Sequence, residues 1–326
     1  MSTANTIPET WGLTGDDARQ TIARVGRRRL IADAFKRLRY SDGFSHSRSM
    51  AFLGILVFVE GVIAVIGISQ SLGNPRLSTA IAEALQSVVP GPAGSVLIEA
   101  TRQGSKAASA GHWLAIAFGT LGALVTGTTL MGQIERSLNR LYGIESDRDS
   151  VKKYSHAFLL ALSAGTLAAL GLLGLGLGGV LGRAFGSGEV YTAWNIVRWP
   201  LGVLLLVAAI ALIFRSAPRR RQPAWSWMSF GALVALVLLV IVTVGLSIFF
   251  RLSGTFGSTY GPLAGIIALA FWTYLTSIAL LFGAALAAQL EAVRAGVAGA
   301  RSVTKVVESE PRPAMTGSPS PPHSAE

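Results

Sequence analysis

Glu60 lies near the middle of an apolar run, and it is the only charged residue well inside any such run of the chain. A carboxylate at the centre of a membrane span costs about 2.5–3.5 kcal/mol on insertion scales, so it is expected to face a bundle interior or a wet cavity. Two readings follow. The carboxyl group relays protons or coordinates a substrate, or it is hydrogen-bonded to a neighbouring helix and serves packing alone. Hydroxyls come next. Thr120, Thr126, Thr128 and Thr129 share a second apolar run with Gly119, Gly122 and Gly127. Thr126 and Thr129 are the two expected to line a polar path with Glu60. The plainer reading is that such hydroxyls bond back to their own helix or bridge to the next one.

Other chemistries find no footing. The chain has no cysteine, which removes disulfides, thiol nucleophiles and thiolate ligands. Its four histidines, His46, His112, His156 and His323, are dispersed and lack a ligand partner at helical spacing. There is no HExxH, no GxSxG and no GxxxxGK[ST], and no paired carboxylates stand at close spacing inside the apolar runs. The expectation is a protein with no catalytic residues, no metal and no cofactor. Arg183 and Arg198 read as anchors at span ends. The run GLLGLGLGGVLG places Gly174, Gly178, Gly182 and then Gly186 four apart on one helix face. Small residues at that spacing let helix backbones approach closely, inside the bundle or between copies of the chain in a homo-oligomer.

The elements that must position these residues are membrane spans. Of the 326 residues 51% are hydrophobic and only 14% charged, with a mean hydropathy of +0.52. Six apolar stretches stand at residues 50–69, 113–131, 157–181, 199–214, 227–250 and 263–290. Each has or approaches the roughly 20 residues that cross a bilayer. The fold class is therefore all-α, a polytopic bundle of six transmembrane helices with amphipathic interfacial helices. Lys and Arg divide unevenly: 22 of the 28 fall in the N-terminal segment, the even-numbered connections and the C-terminal segment. That asymmetry places both termini in the cytoplasm. It also accounts for the net charge of +11 as topology and contact with anionic membrane lipid, so no nucleic-acid partner is expected. Trp113, Trp199, Trp225 and Trp227 stand at span edges, where indole rings prefer the headgroup region.

Three regions result: a basic segment at 1–49, the spans at 50–291 and a tail at 292–326. In the first, Ile22, Val25, Phe35 and Leu38 punctuate a run of arginines as a basic amphipathic helix on the inner leaflet would. Between the first two spans, Leu77, Ile81, Leu85 and Val88 suggest a short outer amphipathic helix. Ile134, Leu138 and Leu141 suggest that the second span continues beyond the membrane as a helix. From about residue 309 the tail is rich in Pro and Ser, a composition of disordered segments.

Three segments together resemble the YihY/BrkB family of bacterial inner-membrane proteins. SDGFSHSRSMAFLGILVF at 41–58 is similar to the family's approach to its first span. IERSLNRLYGI at 134–144 is similar to its short helix with an Asn-Arg pair, here Asn139 and Arg140. The last span matches at Tyr260, Gly261, Trp272, Tyr274, Leu281, Gly283 and Ala284. The resemblance covers about residues 35–295. It implies a six-helix inner-membrane protein tied to envelope integrity or to transport of an envelope or lipid-linked precursor, with a non-transporting membrane scaffold as the other reading. The family often has Glu directly after this Gly-Ala pair, where this chain has Ala285, and often has Pro near the position of Glu60. A pathway carboxylate, if one is used, would then fall to Glu60. The family has carried a ribonuclease label, yet the metal-binding carboxylate or histidine cluster that a nuclease needs is not visible in this sequence.

Overall fold

The computed structural model describes residues 4–71, 89–184, 188–253, 255–260, 263–297 and 299. Two short helices, α1 (Gly15–Val25) and α2 (Arg27–Tyr40), precede the bundle. The long helices are α3 (Gly43–Ser71), α4 (Ala93–Leu141), α5 (Ser150–Ala184), α6 (Glu189–Ser216), α7 (Trp225–Leu252) and α9 (Leu263–Arg294). A single turn, α8 (Phe256–Tyr260), stands between α7 and α9. The expected outer helix around Leu77–Val88, Gly186 and the Pro/Ser-rich tail lie outside the described residues.

Local chemistry sets the boundaries. The backbone N–H and hydroxyl of Thr14 donate to Asp17 Oδ2 at 2.9 and 3.0 Å, which caps α1. Gly26, at φ +87°, ends α1 in a conformation that side chains disfavour, and α2 begins at the next residue. Asp42 takes φ +56° between α2 and α3, and a Cβ on Gly43 would meet Leu38 Cδ1 at 2.3 Å. The Ser41-Asp42-Gly43 sequence is thus what this sharp corner requires: a residue tolerant of the left-handed region followed by one without a side chain.

Five stretches among the described residues are long and apolar enough to cross a bilayer: Gly43–Ala64, Ser150–Gly176, Glu189–Ser216, Trp225–Leu252 and Leu263–Arg294. They coincide with the first, third, fourth, fifth and sixth stretches expected from the sequence. The second, residues 113–131, lies within α4 and is not among these five. The fourth is longer than its apolar run suggests. Helix α6 begins at Glu189 and continues through Pro200, because a bundle can resatisfy the one carbonyl that proline leaves free.

Neighbouring helices pack in the order α3, α4, α5, α6, α7, α9, and α9 closes the ring on α3 and α4. Within its most apolar window α9 is 44% buried, against 17–22% for the other four stretches, so it is the central helix. The outward faces carry exposed Phe118, Val125, Leu159, Leu204, Val240 and Ile248. An apolar exterior of this extent belongs in lipid. Two glycine pairs bring backbones close. A Cβ on Gly283 of α9 would lie 2.6 Å from the Gly231 carbonyl of α7, and a Cβ on Gly202 of α6 would lie 3.2 Å from the Gly171 carbonyl of α5.

Helices α1 and α2 lie at the end of the bundle where α4, α6 and α9 finish and α3, α5 and α7 begin, here called the basic end. Ala18, Leu30, Ala34 and Leu38 bury there against the helices of the bundle. Two expectations need correction. Arg37, read as part of a basic surface, is wholly buried. Trp227, read as an interface tryptophan, is 1% exposed and fills the core at the start of α7, whereas Trp113, Trp199 and Trp225 are exposed as expected. Just before Trp227, the start of α7 is tied to the segment ahead of α1: the Leu13 carbonyl accepts from Ala224 N, and Gly15 N donates to Ser226 Oγ at 3.0 Å.

Candidate functional site

The half-buried Glu60 of α3 faces α4. Its Oε1 accepts a 3.1 Å hydrogen bond from Thr126 Oγ1, and its Oε2 is buried without a hydrogen-bond partner among the described residues. The helices meet closely here because α4 presents glycines. A Cβ on Gly122 would stand 3.0 Å from Glu60 Oε1, and one on Gly119 would stand 2.5 Å from Ala64 N. A polar oxygen held at mid-span with nothing to bond is costly, and such groups mark places where a cation, a proton or a ligand hydroxyl can be accommodated. Thr129 is not brought to this site: it is exposed, and its hydroxyl donates to the Val125 carbonyl one turn back. Thr128 likewise bonds to Leu124 O at 2.6 Å.

Two residues from Glu60 along α3, Phe58 meets the Trp272 ring edge-on, with centroids 6.0 Å apart. The Trp272 indole N–H donates to Thr243 Oγ1 of α7 at 3.0 Å, so one tryptophan ties α3, α7 and α9 together.

A second polar assembly closes the basic end. Residues 4–14 run as a strap across the ends of α4 and α9. Ile7 is buried, and its N–H donates to Tyr142 O at 3.2 Å, while Thr6 Oγ1 donates to Gly143 O at 3.1 Å. Gly143, at φ +74°, is required, since a Cβ there would meet the Thr6 backbone at 2.7 Å. Beneath the strap, Arg220 Nη2 donates to Glu291 Oε1 at 2.6 Å and to Pro8 O at 2.9 Å. Its guanidinium lies 4.6 Å from the centre of the Tyr142 ring, and Thr10 donates its hydroxyl to the same Glu291 oxygen. Arg37 donates to Gln289 Oε1 at 2.8 Å and to the carbonyls of Asn5 and Leu141 at 3.1 Å. Burial pushes the Arg37 guanidinium down to about 10, still far above neutrality. Burial, with the Glu291 charge, pushes the Tyr142 phenol well above its ordinary range, so it stays neutral.

Beside this lock, Asp147 gathers Arg136 (2.9 Å) and Lys153 (3.0 Å), and the buried Glu135 pairs with Arg148 at 2.9 Å. Burial pushes the Asp147 carboxyl up, but hydrogen bonds from Lys153 and Arg136, the Lys153 charge and Asn139 outweigh it and hold the group at about 2. Among the described residues, no three histidine or acidic side chains gather as a metal ion would require.

Residues 34–305 match the model of the family described as virulence factor BrkB. The chain belongs to the BrkB family. Its similarity to a putative ribonuclease-like protein, YfkH, of Bacillus subtilis (strain 168) is 24% identity over 258 residues, covering 78% of this chain and 92% of that one. The UPF0761 membrane protein RC1_0578 of Rhodospirillum centenum is 26% identical over 295 residues, covering 87% and 63%. The UPF0761 membrane protein azo3165 of Azoarcus sp. (strain BH72) is 26% identical over 251 residues, covering 75% and 59%. The chain thus spans about three fifths of the length of these two UPF0761 relatives. No solved structure gives a significant match.

The residues that carried the BrkB resemblance are positioned as parts of the frame. Asn139 is wholly buried: its Oδ1 accepts from Arg219 N at 2.8 Å, which ties the end of α4 to the connection between α6 and α7. Arg140 donates to Ile144 O at 3.0 Å. Tyr260 stacks obliquely on Phe256 at 4.9 Å, and Tyr274 is half-buried on α9. Gly283 and the buried Ala284 form the close crossing with α7. Gly261 lies outside the described residues. On α5, a Cβ at Gly171 would meet Leu206 at 3.0 Å, whereas one at Gly174 would meet nothing within 4 Å beyond its own helix backbone and chain neighbours. The surroundings of Gly178 and Gly182 are not among those described. Sequence reasoning missed Glu291, Arg220, Arg37 and the strap. The one available signal was an acidic residue ending the last span together with the Arg219-Arg220-Arg221 run.

Proposed function

We propose that this chain is a transporter or flippase of the bacterial inner membrane, acting on an amphiphilic, anionic envelope or lipid-linked precursor. In this reading residues 113–131 of α4 form a sixth span, and the basic end, with both termini, faces the cytoplasm. The observation that carries the proposal is the Glu60 carboxyl at mid-span. One oxygen is held by Thr126, the other has no partner among the described residues, and glycines of α4 stand opposite. A carboxylate kept in the membrane at this cost is suited to exchanging a proton or meeting a polar headgroup as it crosses. Positive charge at the basic end would raise the local concentration of an anionic substrate.

The test is translocation in proteoliposomes, with a headgroup-accessible fluorescent phosphatidylglycerol as probe. Wild-type protein should accelerate movement between leaflets, and Glu60→Gln should slow it at least tenfold with expression and thermal stability retained. Equal rates for the two proteins would remove Glu60 from the pathway.

A second reading, a non-transporting scaffold that supports envelope integrity, is favoured by the density of buried ion pairs at the basic end. In that case Glu60→Gln leaves the bundle intact, and the wild-type protein moves no lipid.

A further inference from the structure

We infer that the α1–α2 hairpin and the bundle form a seat for one anionic phospholipid of the leaflet at the basic end. The site requires only that the chain sit in a bilayer, and it is separate from Glu60. A groove of about 690 Å³ opens between the hairpin and the spans, within the range of ordinary ligand pockets. Ile22 and Leu30 line it from the hairpin, Phe230 from α7 and Leu286 from α9. Exposed Arg19 and Arg27 stand at its rim.

Two observations choose the occupant. The first is depth. Trp225, 48% exposed with the Arg215 guanidinium 4.9 Å from its ring centre, marks the interface at the start of α7. Phe230 lies five residues further along that helix, about 7.5 Å deeper. The floor of the groove is therefore at acyl-chain level and its rim at headgroup level. The second is charge. Between Gly15 and Tyr40 stand eight Lys or Arg residues and only three Asp. A single acyl chain fits the apolar walls while a lipid phosphate meets Arg19 and Arg27. A zwitterionic lipid fills the walls equally well and gains less at the rim.

The measurement is native mass spectrometry of the full chain released from nanodiscs containing equal phosphatidylglycerol and phosphatidylcholine. Wild type should retain phosphatidylglycerol preferentially. Arg19→Glu/Arg27→Glu should lower that preference by at least about fivefold, the effect of one surface cation near a bilayer. Ala23→Trp, which fills the groove and leaves every arginine in place, should lower total lipid retention. Inorganic phosphate should not compete. The proposal is overturned if Ala23→Trp and the double variant both retain phosphatidylglycerol as wild type does. It is equally overturned if phosphate alone displaces the lipid, or if the groove proves to be covered by a second copy of the chain.

Discussion

Glu60 was legible in the sequence as the one charge inside a span, because desolvation makes such a residue conspicuous wherever it stands. Its partner was only half legible. Thr126 and Thr129 are three residues apart on one helix and both can hydrogen-bond, yet only Thr126 faces Glu60. The Arg220–Glu291 pair was not legible, since the two residues are 71 positions apart and nothing local joins them. Both side chains are almost wholly buried, so removing one partner strands the other charge. Arg220→Met should destabilise the fold by about 3–5 kcal/mol, and Arg220→Met/Glu291→Leu should recover much of the loss. Thermal unfolding in detergent checks this, and a double variant no better than the single one contradicts it.

Asp147 gives a pH signature. Its folded value of about 2 lies below the ordinary 3.8, so its stabilisation is complete above about pH 4 and is lost as the pH falls through about 2. Asp147→Asn should therefore melt below wild type at pH 7, and the two should converge on acidification. Equal melting at pH 7 would mean that the Arg136 and Lys153 contacts contribute nothing.

Among the elements, the long helices were readable because apolar length is a local property. The strap was not, because its hold depends on surfaces from α2, α4, the α6–α7 connection and α9. Gly143 is where that hold is most exposed to test. Its positive φ and the 2.7 Å approach of Thr6 leave no room for a methyl group. Gly143→Ala should cost about 1–3 kcal/mol and release residues 4–14, seen as faster backbone hydrogen exchange there with the spans unchanged. Unaltered exchange in the strap would show that it is not held at this point. The α5 glycines carry a related lesson. A four-residue spacing identifies a face but not which face packs, and the close contact with α6 is made at Gly171 and Gly202 while Gly174 stands open.

For the whole molecule, the BrkB family assignment and the apolar exterior agree on a membrane bundle, with α9 at its centre. The sequence carried that much because bilayer thickness imposes one length on every span. It did not carry the closed basic end, where α1, α2 and the strap turn a segment that reads as surface into core. What the protein can do depends on which helices cross the bilayer and which way they point. The absence of cysteine makes this directly measurable, since single cysteines can be introduced on a silent background. Cysteines at Ser150, Ser216 and Ser309 should react with a membrane-impermeant maleimide only after permeabilisation, and cysteines at Ser105 and Ser253 should react in intact cells. Labelling of Ser150 or Ser309 from outside, or the same labelling pattern at Ser105 and Ser150, would contradict six spans with both termini inside.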